Sequence, residues 1–451
     1  MRLSHASRSI RRHEKICLLS LLLGSGLAVT PARAVPSFAQ QTGHPCAACH
    51  VGAFGPQLKP FGREFKLYGY TASEGKGWYP PIAATVQTSF TNTQAAQPGG
   101  AARWFAPNNN VALDQASLYY AGRFNSTSGA FIEMEYDGIA RQLQIGNVDI
   151  RKIKEFTLFG IDSVGGITVN NSPTVQDLWN STPAWGFPYN GSALAPTPAA
   201  ASLIDGGLGQ RVAGLGLYAM WDDSIFTEVD AYRGLGRDVL NATGIVPVAG
   251  APGIDGFVPY WRVAWQKNLD RHFFEIGTYG LHANIFPNGD TSAGTPDSYT
   301  DTAADINYQF IVNPKSVVSD MLSVHGTLIH EGQSLGSSSA LAGTNSYNTL
   351  DTFRVDASYS FAATVTPTIQ YFRTSGTPDA IEYGIAGGRP NTSGFITEVA
   401  YVPWGKPDSP FQFMNIRLAV QYVTYLEFNG TAHGAAANNV LYLSLWAALH
   451  F

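Results

Sequence analysis

The chain has 451 residues, of which 45% are hydrophobic, 12% aromatic and only 14% charged, and its formal net charge at pH 7 is −5. The charged fraction lies well below the roughly 25% usual in soluble domains, and the acidic balance excludes nucleic acid as a partner. Because no run of eighteen apolar residues follows the N-terminal segment, we expect no membrane-spanning helix, and the composition favours a membrane β-barrel.

The first residues have the pattern of a secretory signal peptide. Basic residues between Arg8 and Lys15 precede an apolar run over 16–29, which is too short to span a membrane. An Ala-Arg-Ala cleavage site ends at Ala34, so we predict that residues 1–34 are removed on export. Their removal leaves a mature chain that is more acidic than the whole.

Two cysteines remain after cleavage, Cys46 and Cys49, and His50 follows directly. C-x-x-C-H is the attachment motif of c-type haem, in which the two thiols form thioethers and the histidine ligates the iron. A redox dithiol or a zinc half-site is the alternative. No βαβ pattern surrounds the motif, however, and no second cysteine pair completes a zinc site. The sequence therefore predicts one covalent haem c held by Cys46, Cys49 and His50.

A short helix is predicted just after the motif, because apolar residues recur at helical spacing. These residues are Leu58, Phe61, Phe65 and Tyr68. We expect this stripe to cover one face of a haem. Lys59, Arg63 and Lys66 lie on the opposite face, where they suit either haem propionates or acidic barrel residues, or form a solvated basic surface. The module, residues 35–76, is too small to bury a haem alone.

The second axial position of the iron has no obvious ligand in the sequence. His44 lies too close to Cys46 to reach the far haem face, and strand parity points Met134 and Met414 to lipid. Parity leaves three inward-facing candidates for a distal ligand, Met220, Met321 and His325. Lys59 and Lys66 are rarer possibilities.

From Pro81 onward the sequence alternates apolar and polar residues in period 2, as in strands between lipid and a wet lumen. Met414, Ile416 and Leu418 alternate with Asn415 and Arg417, for example. Sixteen such segments lie at 81–91, 111–123, 129–138, 143–151, 155–169, 206–222, 224–236, 257–268, 271–285, 299–312, 316–331, 350–362, 365–374, 393–404, 411–426 and 440–451. An even number is typical of bacterial single-chain barrels.

The connections between these segments alternate in length. Long ones follow odd-numbered strands and short turns follow even-numbered strands, except for the short connection near 139–142. Such alternation predicts a periplasmic N-terminus, with long loops at the extracellular end. The C-terminal Phe451 is typical of outer-membrane barrels, and a soluble β-sandwich is the alternative. We therefore predict an antiparallel outer-membrane barrel of about 16 strands over 81–451, with the helical haem module packed in or against its lumen.

Five stretches resemble a known family. "FAQQTG" at 38–43, "CAACH" at 46–50 and "FGREFKLYGY" at 61–70 are similar to the outer-membrane fused monohaem cytochrome–porins of Fe(II)-oxidising bacteria, as are "VNNSPTVQDLWNSTPAWGFPY" and "NNVLYLSLW". Gln40 stands where that family's pattern has arginine. The resemblance implies a haem domain at the periplasmic side, a porin barrel, and one-electron uptake from extracellular Fe(II) with passage to a periplasmic c-type cytochrome.

Electron transfer across the outer membrane is thus the first hypothesis, and whether the chain acts as an Fe(II) oxidase enzyme is left open. Lumen acids could concentrate Fe(II) or another small cationic donor; they are Glu133, Glu135, Asp305 and Glu331. The loop at 170–205, with Trp179 and Trp185, is either an inward lid over the haem or an exposed surface loop, and we favour the exposed loop. A solute porin or ligand-binding barrel, in which the haem senses or gates, is the second hypothesis. A haem peroxidase is disfavoured, because the haem segment offers no histidine beyond His44 and His50.

Overall fold

A computed structural model describes residues 37–75, 80–245, 253–411 and 413–450, so the predicted signal peptide and Phe451 lie outside the described residues. Three short helices come first: α1 (Ser37–Thr42), α2 (Cys46–Cys49) and α3 (Pro60–Leu67). Two more, α4 (Arg237–Ala242) and α5 (Gly336–Ala342), lie in connections between strands. Among the residues that the structure describes, no helix is long and apolar enough to cross a lipid bilayer.

Seventeen strands lie in the described part of the chain. They are β1 (Ile82–Thr93), β2 (Asn110–Asn125), β3 (Ser128–Asp137), β4 (Gln142–Leu158), β5 (Ile161–Asn170), β6 (Val212–Trp221), β7 (Ile225–Gly234), β8 (Gly253–Asp255), β9 (Val258–Leu269), β10 (His272–Phe286), β11 (Asp297–Ile311), β12 (Met321–Leu335), β13 (Tyr347–Ser360), β14 (Val365–Gly376), β15 (Thr392–Tyr401), β16 (Met414–Glu427) and β17 (Val440–His450).

The sheet closes on itself. Neighbouring strands pair antiparallel along the chain, and β1 pairs with both β2 and β17, so that Ala83 lies opposite Tyr119 on one side and His450 on the other. The three-residue β8 pairs with the end of β10, and β9 is the strand that joins β7 to β10. Sixteen strands of the described chain therefore form a closed antiparallel barrel, which confirms the predicted strand number.

The two faces of the barrel have opposite chemistry. Leu215, Leu217 and Val229 on the outer face are 58%, 58% and 60% exposed, whereas Asp230 and Arg262 on the inner face are buried. A closed barrel that is apolar outside and polar inside suits a lipid bilayer. Its apolar outer face can contact hydrocarbon, and its closure leaves no unpaired strand edge in the lipid. Sixteen strands enclose a lumen of channel size.

Short turns gather at one end of the barrel, the short-turn end, and long loops at the other, the long-loop end. Asp222 and Asp223 have φ of 47° and 50°, the backbone of a two-residue type I′ hairpin turn. The predicted exception is also present, because residues 138–141 join β3 to β4 tightly at the long-loop end. The chain after α4 covers that hairpin, where Ile145 N donates to Thr243 O at 2.8 Å.

Some predicted boundaries were wrong, for reasons that involve the N-terminal module. We predicted a strand from residue 316, but β12 begins at Met321 because residues 312–320 fold over the module, where Val317 O accepts a hydrogen bond from Lys59 Nζ at 2.9 Å. Residues 402–411, after β15, do the same, since Ala47 N donates to Gly405 O at 3.0 Å. Two of the longer turns at the short-turn end therefore hold the module in place.

The hairpin between β4 and β5 also differs from the prediction. We placed the break at 152–154, but β4 continues to Leu158 and the chain reverses at Phe159 and Gly160. Their φ values of 54° and 79° again give a type I′ turn. Phe159 tolerates this backbone at a cost, so it was not an obvious turn residue in the sequence.

Candidate functional site

The C-x-x-C-H segment forms one tight turn beside a cavity. Pro45 precedes α2, and His50 N donates to Cys46 O at 2.9 Å, which closes the single helical turn. Gly52 follows with a φ of 64°, and the chain doubles back so that Val51 N donates to Gln57 O at 3.0 Å. This fold brings the Cys46 and Cys49 side chains and the His50 ring to the wall of one cavity.

The cavity has a volume of about 460 Å³. This lies within the range of roughly 300–1,000 Å³ typical of pockets for small-molecule ligands and cofactors. Three parts of the chain line it: the N-terminal module, the inner face of β1–β4 with β16 and β17, and the loop between β5 and β6. The module thus packs inside the barrel, as we predicted, and the barrel completes a pocket that the short module could not enclose alone.

Helix α3 presents a different face to the cavity from the one that we predicted. Leu58 and Phe65 line the cavity, but Phe61 and Tyr68 do not. Phe61 instead packs edge-on against His44, with ring centroids 4.7 Å apart. The helix is rotated because Gly62 faces the C-x-x-C-H turn, where an added Cβ would lie 2.5 Å from Cys49 O.

The three residues of the predicted basic face, Lys59, Arg63 and Lys66, are engaged by protein groups. Lys59 Nζ donates to Ala47 O and Val317 O, at 2.8 and 2.9 Å. Arg63 Nη1 donates to Leu58 O and to Gln309 Oε1 of β11, both at 2.8 Å, and its guanidinium lies 3.5 Å from the Phe273 ring centroid. These contacts favour the alternative in which the basic face meets the barrel rather than solvent.

Lys66 is the one of the three that lines the cavity. Its ammonium group donates to Val175 O at 2.8 Å and to Asn180 Oδ1 at 2.7 Å. Burial and the nearby Arg151 lower the pKa of Lys66 to about 7. Lys66 therefore ties the module to the loop that closes the other side of the cavity.

That loop, residues 171–211, is called the inward loop here, and our preference for an exposed surface loop was wrong. Thr174, Gln176 and Asp177 are fully buried, and Trp179 is 1% exposed. The polar backbone of so long a loop can be buried because inner-face side chains accept and donate its hydrogen bonds. The sequence pattern predicts that these polar side chains face the lumen. It does not show that they bind the backbone of this loop.

The inward loop contacts opposite sides of the barrel. Ser192 Oγ lies 2.5 Å from Thr91 Oγ1 of β1, and Trp179 Nε1 donates to Gln266 Oε1 of β9 at 2.9 Å. Strands β1 and β9 lie nearly half way round the ring from each other. The inward loop therefore crosses the lumen.

A buried ionic cluster fastens the inward loop to the barrel. Arg262 Nη2 lies 2.8 Å from Asp305 Oδ2 and 3.1 Å from Glu275 Oε1, and Arg262 Nε lies 3.5 Å from Asp177 Oδ1 of the loop. Burial opposes ionisation of Asp177, but the charges of Arg262 and Lys66 and the backbone N–H groups of Ser181 and Thr182 lower its pKa. Arg262 is thus the common cation for one loop carboxylate and two carboxylates of the barrel.

Burial also governs the chemistry of the C-x-x-C-H side chains. It raises the pKa of Cys46 and of Cys49 to about 12, so both are neutral thiols at neutral pH, and no disulfide joins them. Burial lowers the pKa of His50 to about 4, against a smaller opposing effect of the Gly55 backbone. The His50 Nδ1 atom is buried and makes no hydrogen bond with the residues that the structure describes. Two neutral thiols and a neutral imidazole on one cavity are the donor set that covalent haem attachment requires.

A polar patch on β1–β4 forms the opposite wall of the cavity. Glu133 Oε1 accepts hydrogen bonds from Tyr119 Oη at 2.7 Å and from Gln115 Nε2 at 2.8 Å. Gln115 Nε2 also lies 3.1 Å from Glu135 Oε2. Strand parity placed Glu133 and Glu135 in the lumen, but Gln115 and Tyr119, which bind them, were not singled out in the sequence.

The other two predicted lumen acids have a structural role away from the cavity. Asp305 pairs with Arg262 and accepts a hydrogen bond from Ser181 of the inward loop at 3.0 Å. Glu331 Oε2 accepts one from the backbone N–H of Leu203 at 2.6 Å. Within the described residues, no three His, Cys, Asp or Glu side chains are grouped to hold a metal ion.

None of the three distal-ligand candidates is among the residues that line the cavity. Met220 is 2% exposed in an apolar cluster beneath α3, and Met321 is 2% exposed against Val51 and Ile311. His325 faces inward, as predicted, but its ring nitrogens lie 3.2 Å from Gln57 Nε2 and 3.1 Å from Asp356 Oδ1. The structure therefore brings Cys46, Cys49 and His50 together and leaves Met220, Met321 and His325 elsewhere.

No protein-family model and no curated protein matches the chain. Among solved structures, an anion-selective porin from Comamonas acidovorans is similar at 10% identity and a TM-score of 0.47, over 82% of this chain and 98% of the porin. OprB of Pseudomonas putida has 10% identity and a TM-score of 0.45, over 82% of this chain and 93% of OprB. OmpF of Salmonella typhi has 11% identity and a TM-score of 0.43, over 82% and 97%. At these levels the similarity carries no argument about function, which has to come from the side chains.

Proposed function

We propose that this chain is an outer-membrane electron-transfer protein with one covalent haem c attached through Cys46 and Cys49 and ligated by His50. One observation carries the proposal: the two thiols and the imidazole line a single cavity of about 460 Å³ inside the barrel. The buried Nδ1 atom of His50, which makes no hydrogen bond with described residues, fits a ring held by a metal or by its cofactor.

A bound haem would supply one-electron redox chemistry. The protein's part is to enclose it. Leu58 and Phe65 of the module and Trp185 of the inward loop give the cavity apolar surface, which excludes water. Lys66 lies on the same cavity, where an acidic group of the cofactor would favour its protonated form and be stabilised by it.

The donor that we propose is Fe(II) or another small cation that reaches the cavity from the long-loop end, which we take as extracellular. Each Fe(II) gives up one electron and leaves as Fe(III). Glu133 and Glu135 are the acids on the cavity wall, and they would raise the local concentration of a cation. The electron would leave at the short-turn end, next to the module, to a periplasmic c-type cytochrome. The N-terminus would then lie on the periplasmic side.

A solute porin or ligand-binding barrel is the alternative, and the barrel fold is common to both functions. Free diffusion needs a continuous water path through the lumen. The inward loop contacts both β1 and β9, and the module fills space beside the short-turn end. These contacts support electron transfer over open diffusion.

One experiment separates the two functions. The mature protein is purified in detergent and inserted into liposomes, and Fe(II) is added outside. Haem reduction is followed optically, and sugar uptake is followed by liposome swelling. We expect stoichiometric haem reduction without swelling. Swelling without reduction by Fe(II) would reject electron transfer in favour of the porin. The Cys46→Ala/Cys49→Ala double variant is the control for background reduction.

A further inference from the structure

The iron of a haem has two axial positions, and His50 can fill only one of them. In electron-transfer haem proteins the second is commonly a histidine or a methionine of the same chain. Among the described residues, His50 is the one histidine on the cavity wall, and no methionine lies there. The segments after residue 36 that the structure leaves undescribed contain neither residue type.

The methionines of the mature chain have other surroundings. Met134 of β3 is 39% exposed on the outer face of the barrel. Met414, the first residue of β16, points to the same outer face. Met220 packs with Tyr218 in the cluster beneath α3. Met321, the first residue of β12, packs against Val51 of the module. None of the four reaches the cavity wall.

The histidines are likewise placed elsewhere. His44 is exposed and packs on Phe61, and His325 is held between Gln57 and Asp356. His272 and His330 are exposed and His282 is half-buried, and all three lie within hydrogen-bond distance of neighbouring side chains. His433 is exposed in a long loop, and His450 faces inward at the short-turn end, beyond the part of β17 that lines the cavity.

Other side chains on the cavity that could ligate iron are engaged by protein partners. Tyr70 Oη donates to Asp149 Oδ2 at 2.5 Å, and Tyr119 Oη donates to Glu133. Tyr189 Oη donates to Gln57 Oε1 at 3.1 Å. Lys66 uses its ammonium group on Val175 O and Asn180 Oδ1.

We propose, on the basis of the function proposed above, that the second axial position of the haem iron has no protein ligand and is open to small exogenous ligands inside the cavity. The ligand class is that of water and of diatomic or small anionic molecules. The protein would then differ from electron-transfer cytochromes that carry a permanent histidine or methionine on both sides of the iron.

The test uses carbon monoxide on the full mature protein in detergent, without any turnover assay. The protein is reduced with dithionite and titrated with carbon monoxide, and the ferric form is examined by electron paramagnetic resonance. We expect a change of the reduced spectrum at one carbon monoxide per haem and a high-spin ferric signal. The Met220→Leu, Met321→Leu and His325→Gln variants should give the same spectra as the parent.

Low-spin iron in both oxidation states, with no response to carbon monoxide, would overturn the proposal. So would a parent spectrum that turns high-spin only when Met220, Met321, His325 or Lys66 is replaced, because that residue would then be the ligand. Absence of covalent haem from the purified parent would instead reject the proposed function itself. The two failures are therefore distinguishable.

Discussion

Gly62 of helix α3 lies against the carbonyl of Cys49, so closely that a Cβ on Gly62 would be 2.5 Å from that oxygen and 3.0 Å from Leu58 Cδ2. The helix and the C-x-x-C-H turn are therefore in backbone contact. This contact sets the rotation of α3 and places Leu58 and Phe65, rather than Phe61, on the cavity wall.

We predict that Gly62→Ala separates the helix from the C-x-x-C-H turn. The added methyl group meets a backbone oxygen that cannot move alone, and overpacking of this kind costs roughly 1–3 kcal/mol. We expect a lower melting temperature in detergent and a smaller fraction of protein with attached haem. Gly191→Ala is the matched control, because a methyl group at that position would meet nothing within 4 Å, so this variant should behave as the parent. Equal haem content and melting in both variants would show that the contact is unimportant.

We predict that Arg262 holds the inward loop in the lumen. Arg262→Met leaves Asp177, Glu275 and Asp305 buried without their common cation, and breaking such a cluster costs roughly 3–5 kcal/mol. We expect the inward loop to detach from the lumen, which would show as faster proteolysis within residues 171–211 and as higher ion conductance in planar bilayers.

The exposed Arg233 offers the control for that change, since Arg233→Met removes the same charge outside the buried cluster. We expect parental conductance from it. Parental conductance from Arg262→Met as well, in a folded barrel, would mean that the ionic cluster does not hold the loop in the lumen.

Because two acidic residues lie on the cavity wall, we predict that the rate of reaction with cationic donors depends on the salt concentration. Replacing Glu133 and Glu135 by glutamine keeps their size and removes the acidic groups from the cavity wall. We expect the rate of haem reduction by Fe(II) to fall roughly tenfold at low ionic strength, the lower end of what electrostatic focusing provides, and the difference to shrink as salt is added.

Reduction by dithionite, an anion, should not slow in this double variant. Glu64→Gln, at an exposed position of α3, is the control for a general charge effect. An unchanged Fe(II) rate in the Glu133 and Glu135 double variant would remove these acids from the path of the donor.

The sequence predicted the barrel well because its signal is repeated. A residue such as Leu217 faces lipid and its neighbour Tyr218 faces the lumen, and this alternation recurs in most of the strands. The motif at Cys46, Cys49 and His50 was equally readable, since its spacing is local. The rotation of α3 could not be predicted in this way. It depends on Gly62, and a glycine is not part of the apolar stripe from which the helix was predicted.

The long-range contacts could not be predicted from local patterns in the sequence. The inward loop is rich in Pro, Gly and Ser and has the composition of a surface loop. Its burial depends on pairs far apart in sequence, such as Asp177 with Arg262 and Trp179 with Gln266. Likewise, Met321 and His325 face inward as parity predicted, but parity cannot tell which part of a lumen a residue reaches.

We propose above that the barrel encloses one haem held by the C-x-x-C-H turn. The intact mass and haem content of the mature protein, purified in detergent after expression with a haem-attachment system, test this most directly. We predict one covalent haem per chain in the parent and none in the Cys46→Ala/Cys49→Ala variant, with the barrel folded in both. A folded parent that carries no covalent haem, or a double variant that still carries it, would contradict this claim.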